Sequence, residues 1–200
     1  MLYNFFITFV ISYFIGCIPF ALIISHFFAS KNPGNEGSGN YGALNSYEIT
    51  GKKYIGFLVF LFDGLKGVLA ILIAGLIFLN PINLVVASIS VVLGHTFNIF
   101  LKFRGGRGLA TSLGVVFTYN PFLAIIWIIL WFLFYCVVKK DVIFANTRAT
   151  ILTPFIVYFA PGHIIFYLNY SYYVGVYEYR LLAFLLCLII FLAHFRKQQP

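Results

Sequence analysis

The sequence predicts an all-α, polytopic membrane protein of about seven transmembrane helices, with its N-terminus outside and its C-terminus cytoplasmic. Three observations carry that expectation. The 200 residues are 62% hydrophobic, 20% aromatic and only 9% charged, too little polar material to cover a soluble globule. Apolar runs of spanning length recur, separated by short segments rich in Gly, Pro and Asn. With alternate connections placed inside, Lys31, Lys52, Lys53, Lys102, Arg104, Arg107, Lys139, Lys140, Arg148, Arg196 and Lys197 all fall on one side. Only Arg180 falls on the other, and the positive-inside rule makes the basic side cytoplasmic.

In chain order, residues 1 to 28 form the first apolar run, with Pro19 expected to bend it. It has no basic n-region or small-residue cleavage pattern, so it is read as a retained span rather than a signal peptide. Residues 29 to 53 form a polar loop whose density of Gly, Asn and Ser predicts ordered turns instead of a long helix. Gly37, Gly39 and Gly42 there could let backbone approach a ligand. The second span, 54 to 79, carries Asp63 and Lys66 one helical turn apart, which predicts a mutually neutralising structural pair, or one that props a polar site. Asn80-Pro81 starts a turn, and a third span follows at 84 to 98. After a polar stretch, a short apolar segment reaches the Asn120-Pro121 turn, and residues 122 to 138 return. A second polar loop, 139 to 148, precedes a sixth span at 149 to 168. Tyr170, Tyr172, Tyr173, Tyr177 and Tyr179 then form an interfacial belt, and a last span covers 181 to 195. The whole, 1 to 200, reads as one integral-membrane domain. Cys17, Cys136 and Cys187 sit alone in apolar runs, without metal-ligand or CxxC spacing, and are expected to be buried small hydrophobes.

Between the third and fourth spans, Gly94-His95-Thr96-Phe97 is followed by Lys102-Phe103-Arg104-Gly105-Gly106-Arg107-Gly108-Leu109-Ala110-Thr111-Ser112. This puts an imidazole, three cations and closely spaced glycines into a chain that is otherwise hydrocarbon. Such a stretch suits an anion held by backbone N–H groups and by the N-terminus of the next helix. The same residues could also make an ordinary basic cytoplasmic loop. No basic face separate from the membrane exists to track a duplex, which excludes a nucleic-acid partner. The lipid bilayer is the expected environment.

The pairing of Gly37-Ser38-Gly39-Asn40-Tyr41-Gly42-Ala43-Leu44-Asn45 with Gly94-His95-Thr96-Phe97 and Phe103-Arg104-Gly105-Gly106-Arg107-Gly108 resembles the bacterial PlsY-type acyl-phosphate:glycerol-3-phosphate acyltransferase family. Gly51-Lys52-Lys53 and Asp63-Gly64-Leu65-Lys66-Gly67 lie between them in the same order. The resemblance implies transfer of a fatty acyl group from acyl phosphate to the 1-hydroxyl of sn-glycerol 3-phosphate, giving lysophosphatidate and phosphate in phospholipid biosynthesis. It implies no metal and no cofactor, and an active site facing the cytoplasm of a bacterial inner (cell) membrane. A soluble acyl-phosphate-forming enzyme is a possible partner.

By position, the resemblance makes Ser38 and His95 catalytic candidates. It makes Gly37, Gly39, Asn40, Asn45, Lys102, Arg104, Gly105, Gly106, Arg107, Gly108 and Thr111 candidates for binding substrate and phosphate. Arg104 and Arg107 stand where the family has lysine. Other departures are Leu44 for Thr, Glu48 for Arg, Asn98 for Pro, and a C-terminal motif reduced to His194-Phe195-Arg196-Lys197-Gln198. Arg148 is the candidate to supply the cation missing at Glu48. His95 would act as a general base or as an orienting group, and Ser38 as a nucleophile or a hydrogen-bonding residue. His26 and His163 are expected at span ends as interfacial residues. Two other readings remain at this stage: a divergent non-catalytic relative that binds acyl phosphate or anionic lipid, and a small anion transporter. The one-sided gathering of charge and the lack of an inverted repeat count against a transporter.

Overall fold

A computed structural model describes residues 2 to 169 and 174 to 195. Tyr170, Tyr172, Tyr173, Arg196, Lys197 and Gln198 therefore lie outside the described residues. The described chain is helical: α1 (Leu2–Gly16), α2 (Phe20–Ala29), α3 (Ala43–Thr50), α4 (Lys53–Ile77), α5 (Pro81–Thr96), α6 (Leu109–Tyr119), α7 (Phe122–Leu133), α8 (Val142–Phe159), α9 (Gly162–Tyr167) and α10 (Val176–Phe195). Five stretches are long and apolar enough to cross a membrane: Leu2–Ala29, Lys53–Ile77, Pro81–Leu101, Val142–Phe159 and Val176–Phe195. Leu109–Tyr119 and Phe122–Val138 are shorter apolar helices.

Pro19 does more than bend the first run. Helix stops at Gly16 and restarts at Phe20, because proline supplies no N–H and its ring excludes the preceding carbonyl. Carbonyls at the break also take donors from elsewhere, although Ile18 O already accepts from Phe20 N at 3.1 Å. Asn98 Nδ2 donates to Cys17 O at 2.7 Å, and Lys66 Nζ donates to Ile18 O at 3.1 Å. A proline at position 98 could not do this, so the asparagine has a structural reason.

Glycines set the helix spacing. A Cβ on Gly16 would overlap the Val91 carbonyl and one on Gly94 would overlap the Tyr13 carbonyl, so α1 and α5 meet backbone to backbone. Gly67 against Thr111 O and Gly114 against Gly64 O bring α4 and α6 together in the same way. Lipid tails are as apolar as leucine, so close packing of this kind drives association where burial from water cannot.

The α6–α7 hairpin turns inside the protein. At 11 residues, α6 rises only about 16 Å, half the hydrocarbon thickness. Its turn must therefore satisfy its own polar groups, and it does. Asn120, fully buried, donates from Nδ2 to Ile165 O at 2.7 Å, and its Oδ1 accepts from Phe122 N at 2.8 Å. The Tyr179 hydroxyl donates to Asn120 O at 3.0 Å and accepts from Leu123 N at 2.8 Å. Tyr119 Oη donates to Leu84 O at 2.9 Å and pairs with Ser88 Oγ at 2.9 Å. Tyr179 is thus a buried lock rather than part of an interfacial belt. Tyr179→Phe strands an N–H and a carbonyl in a dry site, and should cost about 1–3 kcal/mol, read as a lower thermal midpoint in detergent.

Two boundaries move. The second polar loop is only 139 to 141: Asp141 caps α8 by accepting from Phe144 N at 3.0 Å, so helix begins at Val142 and ends at Phe159, not at 149 and 168. Cys17 and Cys187 are buried as expected, but Cys136 is exposed, on the π-helical turn Phe134–Val138 that ends α7. His26 and His163 are both exposed.

Candidate active site

The loop before α3 is held by one side chain. Asn45 Oδ1 accepts from Ser38 N at 2.9 Å, and Nδ2 reaches Pro33 O at 2.9 Å, Asn40 O at 3.0 Å and Glu36 O at 3.2 Å. Its amide is spent inside the loop, which corrects the expectation that Asn45 contacts a substrate. Gly37 and Gly39 have φ of 63° and 69°, so turn geometry demands glycine there. Lys31 and Glu36 close the loop's base at 2.5 Å, and hydrogen bonding to Lys31 holds the Glu36 carboxyl below its ordinary range. These contacts leave Ser38 exposed and Asn40 buried.

The second loop folds back on the end of α5. Gly105 N donates to Thr96 O at 3.0 Å and Gly106 N to His95 O at 3.2 Å. The N–H groups of Gly105 and Gly106 are therefore taken by α5 carbonyls, which corrects their reading as phosphate donors; their glycine character answers to packing. A Cβ on Gly105 would overlap the His95 carbonyl, and one on Gly106 would overlap His95 Nε2 and lie 2.6 Å from Tyr41 O. Gly108, at φ 87°, caps α6 in the left-handed region and turns the chain so that the first turn of α6 opens toward His95.

That turn ends a cavity of about 510 Å³. Asn40, Asp63, His95, Arg107, Gly108 and Ser112 line one part of it. The rest is hydrocarbon: Phe60 of α4, Leu113 and Val116 of α6, Leu123, Trp127 and Trp131 of α7, and Leu186 and Ile190 of α10. Among the described residues the Ser112 hydroxyl is buried without a hydrogen-bond partner, and so is that of Thr111, a residue whose backbone carbonyl lies against Gly67 of α4. The cavity thus has a cationic, donor-rich end and an apolar body, and fits an amphipathic anion.

Arg107 is the cation at that end. Burial pulls its guanidinium below its ordinary value, and the Glu48 carboxylate acts in the opposite sense. The cation whose charge Glu48 acts on is therefore Arg107, at a distance and without a direct ion pair among the described residues. Arg148 stands exposed on α8, its guanidinium 5.2 Å from the Phe144 ring centroid, away from the cavity wall, which corrects its assignment as a replacement cation. Lys102 and Arg104 are also exposed and outside the cavity lining.

Beneath the loops lies a buried ionic cluster. Lys66 Nζ is 2.7 Å from Asp63 Oδ1 and 2.7 Å from His95 Nδ1, and His95 Nδ1 is 3.4 Å from Asp63 Oδ1. The sequence spacing showed Asp63 and Lys66 as a pair but gave no sign of their third member. His194 Nδ1 lies 2.8 Å from Ile190 O. Among the described residues no group of three or more His, Cys, Asp or Glu side chains is placed to hold a metal.

A sequence profile described as glycerol-3-phosphate acyltransferase matches residues 6–199. The chain belongs to this family. It is 36% identical over 157 residues to the glycerol-3-phosphate acyltransferase of Pelagibacter ubique (strain HTCC1062), covering 78% of this chain and 81% of that protein. It is 40% identical over 136 residues to that of Lactococcus lactis subsp. lactis (strain IL1403), covering 66% of this chain but 63% of that protein. The fold matches the crystal structure of PlsY (YgiH), an integral membrane glycerol 3-phosphate acyltransferase, in its glycerol 3-phosphate form. The TM-score is 0.75 at 31% identity over 95% of this chain and 88% of that one. The lysophosphatidic acid form of PlsY matches with a TM-score of 0.74. Family membership makes the cavity the candidate active site of an acyltransferase. The sequence missed Trp127, Trp131 and the α10 wall, since apolar residues in an apolar chain carry no signal before packing sets them around a void; Ser112 lay inside the polar stretch but was not singled out as a site residue.

Proposed function

We propose that this protein transfers a fatty acyl group from acyl phosphate to the 1-hydroxyl of sn-glycerol 3-phosphate, releasing lysophosphatidate and phosphate. The observation that carries the reading is the cavity with one cationic end and one hydrocarbon body, the shape of an acyl chain joined to a phosphate. The chain would lie along Leu113, Val116, Leu123 and Trp127, and the phosphate would sit at Arg107 and the first turn of α6. Acyl phosphate is a mixed anhydride already primed to transfer. The hydroxyl's proton passes to the departing phosphate as the C–O(P) bond breaks, so the protein's share is alignment of the attacking hydroxyl and stabilisation of charge on that phosphate. Arg107 and the open N–H groups of α6 supply that charge stabilisation, Asn40 and Ser112 offer hydrogen bonds to the glycerol moiety, and His95 orients the reacting groups. Ser38, exposed and off the cavity wall, takes no covalent role in this scheme.

The site would face the cytoplasm of the bacterial inner membrane, with the N-terminus outside. The gathering of Lys31, Lys52, Lys53, Lys102, Arg104, Lys139 and Lys140 on connections of one parity supports this, and a soluble acyl-phosphate-forming enzyme would deliver the donor there. Purified protein in lipid vesicles, given palmitoyl phosphate and labelled glycerol 3-phosphate, should form labelled lysophosphatidate and free phosphate in equal amounts. Binding without turnover would instead make the chain a non-catalytic relative, and flux without chemistry would make it a transporter. Glu48 competes for Arg107, so Glu48→Gln should lower the apparent KM for the anion held there by about fivefold at low salt. An unchanged constant would separate Glu48 from the site.

A further inference from the structure

The geometry points to Lys66 as a positioning residue that sets the tautomer of His95, making the imidazole a fixed Nε2–H donor at the site rather than a proton acceptor. This rests on the reading of the cavity as an acyl-transfer site. An ammonium has three donors and no acceptor. Those of Lys66 face Asp63 Oδ1 at 2.7 Å, Ile18 O at 3.1 Å and His95 Nδ1 at 2.7 Å. The third contact is a hydrogen bond only if Nδ1 presents its lone pair. A proton on Nδ1 would put N–H against N–H at that distance.

Among the three groups the proton belongs on the ammonium, since an ammonium is a much weaker acid than an imidazolium. The carboxylate of Asp63 balances that charge, so the cluster is neutral as a whole with Lys66 charged, Asp63 charged and His95 uncharged. All three side chains are at most 6% exposed, and no bulk water competes for these bonds. Among the described residues the Cys17 thiol at the end of α1, which donates to Gly94 O at 3.5 Å, and Tyr41, whose hydroxyl lies toward Gly34, also border the cluster, and Arg107 lines the cavity end with His95. None of these offers Nδ1 an acceptor.

With Nδ1 occupied, the imidazole's remaining hydrogen sits on Nε2, the atom that lies against Gly106 at the polar end of the cavity. His95 then donates beside Arg107, where negative charge gathers on the reacting phosphate. A uniform scaffold of charges would need no particular tautomer, whereas this one specifies a direction of hydrogen bonding.

Histidine-selective 15N labelling of the protein in lipid bilayers tests the inference. His95 is assigned by the resonances lost in His95→Gln, leaving His26, His163 and His194. The expected result is an unprotonated Nδ1 and a protonated Nε2. In Lys66→Met, Asp63 becomes the nearest partner of Nδ1 and the protonation pattern should change, while Lys66→Arg should restore it. A protonated Nδ1 in the wild type overturns the inference even if Lys66→Met does not fold, and so does an unchanged pattern in a folded Lys66→Met. In the acyl-transfer assay His95→Gln, which keeps a donor near Nε2, should stay within about tenfold of wild type, and His95→Ala should lose about 100-fold. Equal losses in both would refute the donor role. Absence of transfer in the wild type would remove the proposed function and leave the tautomer measurement standing.

Discussion

Replacing Arg107 with methionine should lower kcat/KM for acyl phosphate by about 100- to 1,000-fold while the protein keeps its thermal midpoint. The prediction follows from where the guanidinium lies. It is the cation on the cavity wall, while Lys102, Arg104 and Arg148 are exposed beyond it. Removing it takes away a charge-assisted contact worth more in a water-poor site than at the surface, and leaves Glu48 near the anion without a counter-charge. Arg107→Lys keeps the charge and loses the planar fork, so it should recover about tenfold of the loss. Steady-state kinetics in lipid with varied acyl phosphate reads both variants. A methionine variant within threefold of wild type would move the phosphate to another part of the molecule.

Gly106→Ala should also cost about 100-fold in turnover, by a different route. The added methyl would meet His95 Nε2 and the Tyr41 carbonyl. The imidazole cannot swing aside without breaking its 2.7 Å contact with Lys66, and the carbonyl belongs to the loop that carries Asn40. Strain at this one methyl therefore separates the two loops that form the polar end. The global fold rests on the distant glycine contacts between α1 and α5 and between α4 and α6, so circular dichroism should stay unchanged. Full activity in this variant would show that the loops need not touch.

Much of the architecture was legible in the chain because a bilayer imposes length and composition on whatever crosses it. The turns at Asn80-Pro81 and Asn120-Pro121 were visible as turn chemistry and the Asp63–Lys66 pair as a helical spacing, whereas Pro19 read only as a bend and the full break there was not foreseen. What escaped was whatever depends on who sits opposite. Gly105 and Gly106 look like a phosphate loop in sequence, yet their N–H groups close onto α5; only the partner carbonyls of His95 and Thr96 decide that. Asn45 reads as a polar site residue until its four bonds inside the loop are seen. Arg148 reads as a loop residue in sequence, but Asp141 starts the helix about two turns earlier and carries it away from the site. Glu48 stood out in sequence as an acidic residue where the family has a cation, and only the fold brings it close enough for its charge to act on Arg107.

The break at Pro19 has a consequence for biosynthesis. A ribosome delivers α1, α2 and α4 to the translocon before α5 exists, so Lys66 enters the bilayer with its Asp63 partner one turn away but without His95. Each charge alone would cost roughly 3 kcal/mol at mid-membrane. The Ile18 carbonyl, held at the break by Phe20 N at 3.1 Å, is already present in the interrupted first run, and its second lone pair can take one of the three protons of Lys66. An interruption that looks like a defect in the first helix thus serves as a docking socket for the fourth, and the last proton is left for the histidine that arrives with α5.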